Sequence, residues 1–199
     1  MPLFEYREAM DMLDEHIPHI QDSIVSGWGR WKSLPADVRV DATPRSRASI
    51  VHDFIVSHAA KKMNAKVHDY SDMKLFLLGN KVALRFKKLD GNLLSRNQPT
   101  GQVRDFRAQG SLSGIPSLHN LEAGYILDDL DQEIDGIHIV CPNGKSNYWS
   151  VSIGEGEIRA TDDDLFSDSR LNQDDDIKPA SYKRKEKDSG IIVPFKIDV

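Results

Sequence analysis

Residues 81–107, KVALRFKKLDGNLLSRNQPTGQVRDFR, open as an alternating strand and close as a short polar helix. Successive side chains of a strand point to opposite faces. Val82, Leu84 and Phe86 therefore share one face, and Lys81, Ala83, Arg85 and Lys87 share the other. The first face is expected to be core and the second to carry a row of three cations. The whole stretch holds Lys81, Arg85, Lys87, Lys88, Arg96, Arg104 and Arg107 against only Asp90 and Asp105. It is strongly basic inside a chain of 199 residues whose net charge is −5.

Between strand and helix lies a loop crowded with small hydrogen-bonding side chains: Ser95, Arg96, Asn97, Gln98, Thr100 and Gln102. Asn97 or Ser95 is expected to cap the helix that runs through Arg107. Backbone N–H groups would then stand beside Arg96 and Arg104, which is the physical recipe for an anion site.

Upstream, Gly79-Asn80 reads as a two-residue hairpin turn with glycine first. It joins the basic strand to a strand over 73–78, itself preceded by a strand over 65–70. Thr43-Pro44 is a helix start, a hydroxyl cap followed by proline in the first turn, and the helix is expected to reach about residue 63. Arg45 and Arg47 lie in that first turn, against the preference of the helix dipole for acids there, and so hint at an anion. His52-Asp53 resembles the paired residues of metal-dependent phosphohydrolases, but the resemblance requires several further His and Asp residues at set places, which the sequence does not offer.

Residues 3–26 carry an apolar stripe (Met10, Leu13, Ile17, Ile20, Ile24) at helical spacing, interrupted by Pro18, where a kink or break is expected. His16 and His19 stand three apart without a third ligand nearby. The segment Gly27-Trp28-Gly29-Arg30-Trp31-Lys32 reads as a loop whose tryptophans either anchor it on the core or stack on nucleobases. Downstream, 121–127, 134–141 and 148–153 read as strands, with turns at the acidic 128–131 and at Pro142-Asn143-Gly144. Cys141 reads as a packed thiol.

The fold class that follows is α+β: a largely antiparallel sheet of five to six strands packed on N-terminal helices, with a loosely ordered C-terminal tail. The segments are an N-terminal helical stretch (1–43), the α+β core (44–154) and a charged tail (155–199). Their net charges are −4 over 1–43, +3 over 44–153 and −4 over 154–199. A basic middle between acidic ends points to a polyanion partner or to self-masking. The tail carries acidic clusters and ends in Ile191, Ile192, Val193 and Phe195, an apolar segment suited to docking on a protein partner.

No apolar run approaches the ~20 residues of a membrane helix, so a membrane partner is not expected. The first thirteen residues are broken by charges and do not read as a signal peptide. A single cysteine rules out an internal disulfide and fits a cytoplasmic protein.

From residue 44 the order helix, strand, strand, strand, helix, strand resembles the core of the restriction-endonuclease-like nucleases. That resemblance implies an acid on the second strand and an acid-x-Lys on the third, holding Mg²⁺ and activating water. The third strand offers Arg85-Phe86-Lys87, with arginine where the metal carboxylate belongs; Asp69 or Asp72 would supply the other acid. The stretch 84–102 also resembles small bacterial and mobile-element proteins found near toxin–antitoxin or phage-defence cassettes, which implies a context rather than a mechanism.

The leading expectation is a non-enzymatic binding module without a cofactor. It would grip nucleic acid, nucleotide phosphates or an acidic protein surface. Lys81, Arg85, Lys87, Lys88, Arg104 and Arg107 would supply charge, and Arg96, Asn97, Gln98 and Thr100 directed hydrogen bonds. The alternatives are a divergent Mg²⁺-dependent nuclease or an RNA- or nucleotide-targeting toxin, with Asp53, Asp69 or Asp72 converging on Lys87, and a protein-interaction subunit or antitoxin.

Overall fold

A computed structural model describes residues 5–70, 73–95, 100–112, 114–115, 118–154 and 158–159. All of them fall in one compact unit that extends to residue 162. The tail beyond it, including Ile191, Ile192, Val193 and Phe195, lies outside the described residues, as do Asp72, Arg96, Asn97 and Gln98.

The elements run α1 (Tyr6–Leu13), α2 (Ile17–Lys32), α3 (Ala36–Asp41), α4 (Pro44–Lys62), β1 (Lys66–Tyr70), β2 (Met73–Leu78), β3 (Val82–Lys88), α5 (Gly101–Arg107), β4 (His119–Leu127), β5 (Ile134–Asn143) and β6 (Ser146–Ile153). The two-residue β7 (Ile158–Arg159) pairs with β6. The strands lie side by side in chain order, and every neighbouring pair is antiparallel except β3 and β4, which are parallel. A parallel return needs a crossover; here it is made by the loop and helix that follow the basic strand. The result is an α+β fold with a mostly antiparallel mixed sheet packed against helices.

Both faces of the sheet are covered. On one, α1, α2 and α4 deliver Leu13, Ile20, Ile24, Trp28, Trp31, Val51 and Ile55 onto Leu84, Phe86, Leu121 and Ile139. The N-terminal helices thus share their core with the sheet. The break expected near Pro18 is present as the end of α1 and the start of α2, with Pro18 in the first turn of α2. That position suits proline, because its missing N–H has no helical partner there anyway.

The segment 27–32, expected as a loop, instead continues α2 for its last turns, and both tryptophans are buried. The glycines allow this. A Cβ at Gly27 would stand 2.4 Å from Ile55 Cγ1 and 2.9 Å from the Ile55 backbone nitrogen, so α2 and α4 approach at a point only glycine can occupy. Burial in the helix core leaves neither tryptophan available to stack on a base.

On the other face, Phe106 of α5 packs with Leu112, Ile115 and Leu118 over Met73, Leu75 and Ala83. The cap of α5 is Thr100, whose hydroxyl accepts the Val103 N–H at 3.3 Å; Ser95 and Asn97 had been the expected caps. Past the C-terminus of α5, Gln109 adopts φ 57°. Its side chain ties the helix to the sheet: Nε2 donates to the carbonyls of Asn120 (2.8 Å) and Pro142 (2.9 Å), and Oε1 accepts from Asn120 N (2.9 Å). Thr43 caps α4 as expected, accepting from Ser46 N at 3.1 Å.

Candidate functional site

The basic strand owes its surroundings to where its ladders end. The register of β2 with β3 runs only from Leu78↔Val82 to Phe76↔Leu84. That of β3 with β4 continues to Lys88↔Tyr125. From Arg85 onward β3 therefore has a paired strand on one side only. A cleft of about 860 Å³ opens there, between Met73 and Lys74 of β2, residues 85–91, and the first half of α4. Residues from both sides of β3 line it, together with Arg45, Ser49, His52 and Asp53.

The row of open cations expected on β3 is not what the fold contains. Arg85 is 1% exposed, and its Nε donates to Glu122 Oε1 at 3.0 Å, with Nη2 on the same oxygen. Nη1 reaches Met73 Sδ at 3.1 Å, and the guanidinium lies 4.3 Å from the centre of the Phe106 ring. The fully buried Glu122 also holds Arg107, whose Nη1 donates to Oε2 at 3.0 Å. Ser95 Oγ donates to Oε1 at 3.0 Å. Arg107 is committed further: Nε donates to Gly144 O at 2.8 Å, and Nη1 to Ser95 Oγ at 2.9 Å. Burial lowers the Arg85 pKa and Glu122 opposes that; an arginine stays charged regardless. These two arginines fasten α5, β3, β4 and the β5–β6 turn to one another, and they are closed to a large ligand.

The other expected cations divide the same way. Lys81 pairs with Glu8 at 3.0 Å, and Lys88 with Asp131 Oδ1 at 2.8 Å. Asp131 holds Arg47 as well, at 2.6 Å, and these two cations keep its carboxyl below the usual range. Arg104 is exposed on α5, outside the cleft lining. Thr100 spends its hydroxyl on the helix cap.

Lys87 is the exception. It is half-buried and lines the cleft. Among the described residues, no carboxylate lies within ion-pair distance of its ammonium and no hydrogen-bond acceptor reaches it. Burial and the neighbouring Arg85 lower its pKa to about 8, against a partial pull upward from Glu122. His52 faces it across the cleft and is held below its ordinary pKa by burial and by Lys87, so its ring is neutral at pH 7. Arg45 is exposed at the cleft edge.

Of the acids expected to converge on Lys87, Asp53 shares its cleft, at 3.5 Å from His52 Nδ1. Asp69 does not line it and is paired with Lys74. Among the described residues, no group of three or more His, Cys, Asp and Glu is placed to hold a metal ion. His16 is buried against Glu15. Cys141 is buried too, its pKa raised to about 12 by desolvation, which makes it a poor nucleophile.

Glu122 was missed in the sequence although a signal existed. It is the one charged residue in the otherwise apolar run 121–127, and a charge inside a buried strand demands an opposite partner. No protein-family profile matches the chain, and no curated protein or solved structure matches it.

Proposed function

We propose that the protein is a non-catalytic binding module for phosphate-bearing polyanions, nucleic acid foremost, and that it grips them at the cleft beside Lys87 rather than along the whole basic strand. The observation that carries this reading is the half-buried Lys87 ammonium, which has no carboxylate partner among the described residues while Lys81, Arg85, Lys88 and Arg107 each have one. A desolvated, uncompensated cation beside a second cation is an unfavourable arrangement that an anion guest relieves. Arg45 at the mouth would add a second phosphate contact.

Because few cations line the cleft, binding there should be weakly salt-dependent. Each neutralised phosphate contributes a slope of about −0.7 to −0.9 in log K against log salt, so one or two contacts give a total of roughly −1 to −2. Fluorescence anisotropy with labelled oligonucleotides tests this directly. Lys87→Glu should abolish binding, and Lys81→Glu should leave it nearly intact. Binding that survives Lys87→Glu unchanged, or a slope near −5, would reject the cleft as the grip.

A second reading, a metal-dependent nuclease, draws on one observation: Asp53 and Lys87 line the same cleft. It requires a second carboxylate close enough to Asp53 to share a metal ion; Asp90 and Asp131 also line the cleft. Mg²⁺-dependent cleavage lost in Asp53→Asn and in Asp72→Ala would support it, and the absence of cleavage with Mg²⁺ or Mn²⁺ would remove it.

A further inference from the structure

Among the described residues, every lysine but one is either paired or open to water. Lys32, Lys74, Lys81 and Lys88 each have a carboxylate within ion-pair distance. Lys61, Lys62, Lys66 and Lys145 are exposed. Lys87 is neither. It is half-buried on the wall of the cleft, and no described carboxylate or hydrogen-bond acceptor reaches its side-chain nitrogen. The wall around it carries Met73, Phe86, Leu89 and Leu127, all of them buried. The cleft, at about 860 Å³, is of a size that encloses a small molecule.

An amine is a nucleophile only in its unprotonated form, and an unperturbed lysine has almost none of that form at pH 7. Lysine is activated by taking water away from it and by placing another cation beside it. Both conditions are met here. Apolar side chains line the wall, and Arg85 stands two residues earlier on the same strand. Burial and Arg85 together bring the Lys87 amine down to about 8. Arg85 exerts this effect while Glu122 holds its guanidinium, so it does not compete for a ligand.

We infer that Lys87 is a reactive amine that captures a carbonyl compound as an imine, and that the preferred ligand is an aldehyde carrying an anionic group, which Arg45 meets at the edge of the cleft. This goes beyond the polyanion reading and does not depend on it. In the capture, the Nζ lone pair forms a bond to the carbonyl carbon and the C=O π pair moves to oxygen. The oxygen takes up a proton as the nitrogen loses one, giving a carbinolamine. Its C–O bond then breaks with protonation of the departing hydroxyl, the nitrogen lone pair completes the C=N bond, and the last N–H proton leaves. The sum is amine plus aldehyde giving imine plus water, with no oxidant or reductant. Water or the neutral ring of His52, which has one bare nitrogen and one N–H, carries these protons.

The test incubates the full chain with 4-carboxybenzaldehyde, benzaldehyde or 4-carboxybenzyl alcohol, reduces any imine with cyanoborohydride, and locates the adduct by peptide mass spectrometry. Both aldehydes should label Lys87 at least about tenfold faster at pH 7.5 than any of the exposed lysines. The carboxylated aldehyde should react severalfold faster than the neutral one, and the alcohol should leave no adduct. Arg45→Ala, at an exposed position that does not threaten the fold, should erase the difference between the two aldehydes.

Lys87→Arg separates this inference from the polyanion reading, because it keeps the cation and removes the nucleophile. It should lose the adduct at position 87 and keep oligonucleotide binding. Labelling of Lys87 no faster than that of the exposed lysines overturns the reactive amine and leaves the polyanion reading standing. Fast labelling of Lys87 in a chain that binds no oligonucleotide upholds the amine and overturns the polyanion reading. Equal rates for the two aldehydes overturn the role given to Arg45.

Discussion

Arg85 and Lys87 stand two residues apart on the same strand and the same side of the sheet, yet they live in different worlds. Arg85 lies under α5, clamped to Glu122, stacked on Phe106 and closed to solvent. Lys87 lies just past the point where β2 leaves β3, with a cleft in front of it and no carboxylate partner among the described residues. A cation whose countercharge is built in serves the fold. A cation left without one costs stability, and an anion guest offsets that cost. The two differ because one has a neighbouring strand and a helix over it and the other does not, not because of their own chemistry.

The sharpest way to break this contrast is Glu122→Gln. It leaves two buried guanidiniums without a carboxylate and should cost about 3–5 kcal/mol, read as a large drop in the urea midpoint. A loss under about 1 kcal/mol would mean that Arg85 is not clamped as described.

Gly124→Ala probes the junction between the two regions. A Cβ there would stand 2.6 Å from the Lys87 carbonyl oxygen and 2.5 Å from Leu89 Cγ, so the end of β3 must shift. Destabilisation of about 1–3 kcal/mol is expected, together with weakened oligonucleotide binding. Retained wild-type affinity would show that the position of the Lys87 backbone does not matter.

Lys87→Met carries the opposite sign. Removing a desolvated charge should stabilise the unliganded protein by roughly 1–2 kcal/mol once the partial exposure of the ammonium is allowed for. That amounts to a few degrees in Tm for a domain of this size, and it comes with loss of binding. A variant less stable than wild type would show that Lys87 has an internal partner after all.

The pH dependence follows from the same residue. The pKa of Lys87 is lowered from 10.5 to about 8 in the folded chain, so between those values the unfolded chain binds more protons. Stability should therefore rise with pH across that window and be lost again as pH falls through about 8. The charged and titratable groups that act on Lys87 are His52 of α4, Arg85 of β3 and Glu122 of β4. Affinity for oligonucleotides should decline over the same window, since binding needs the protonated amine. Chemical denaturation and anisotropy across the alkaline range, with Lys87→Met as the flat control, check both trends.

The smallest effect belongs to Thr100→Ala. It should cost about 1 kcal/mol through loss of the α5 cap and leave binding unchanged. Any loss of affinity would return Thr100 to the ligand surface.

Much of the architecture was legible from local chemistry. The alternation at Val82, Leu84 and Phe86 marked the core face of β3, Thr43-Pro44 marked the start of α4, and Gly79 marked the hairpin, where its φ is 53°. Arg45 and His52-Asp53, which stand out in the sequence, line the cleft. Two readings failed for non-local reasons. Gly27-Trp28-Gly29 looked like a loop because glycine is a poor helix former, but the close approach of α2 to Ile55 demands it. The second face of β3 looked open because alternation says which side a residue is on, and nothing about what covers that side.

Period-two and period-3.6 patterns, caps and turn glycines depend on residues within a few positions of one another, so the sequence by itself determined most of the elements, their order and the inward face of β3. The partner of Arg85 lies 37 residues away on a parallel neighbour, and the gap beside Lys87 exists because a ladder stops at Phe76↔Leu84. Which charge is sealed and which is exposed depends on strand register and on where α5 settles. Both are set by the packing of distant segments, and only the tertiary structure could decide them.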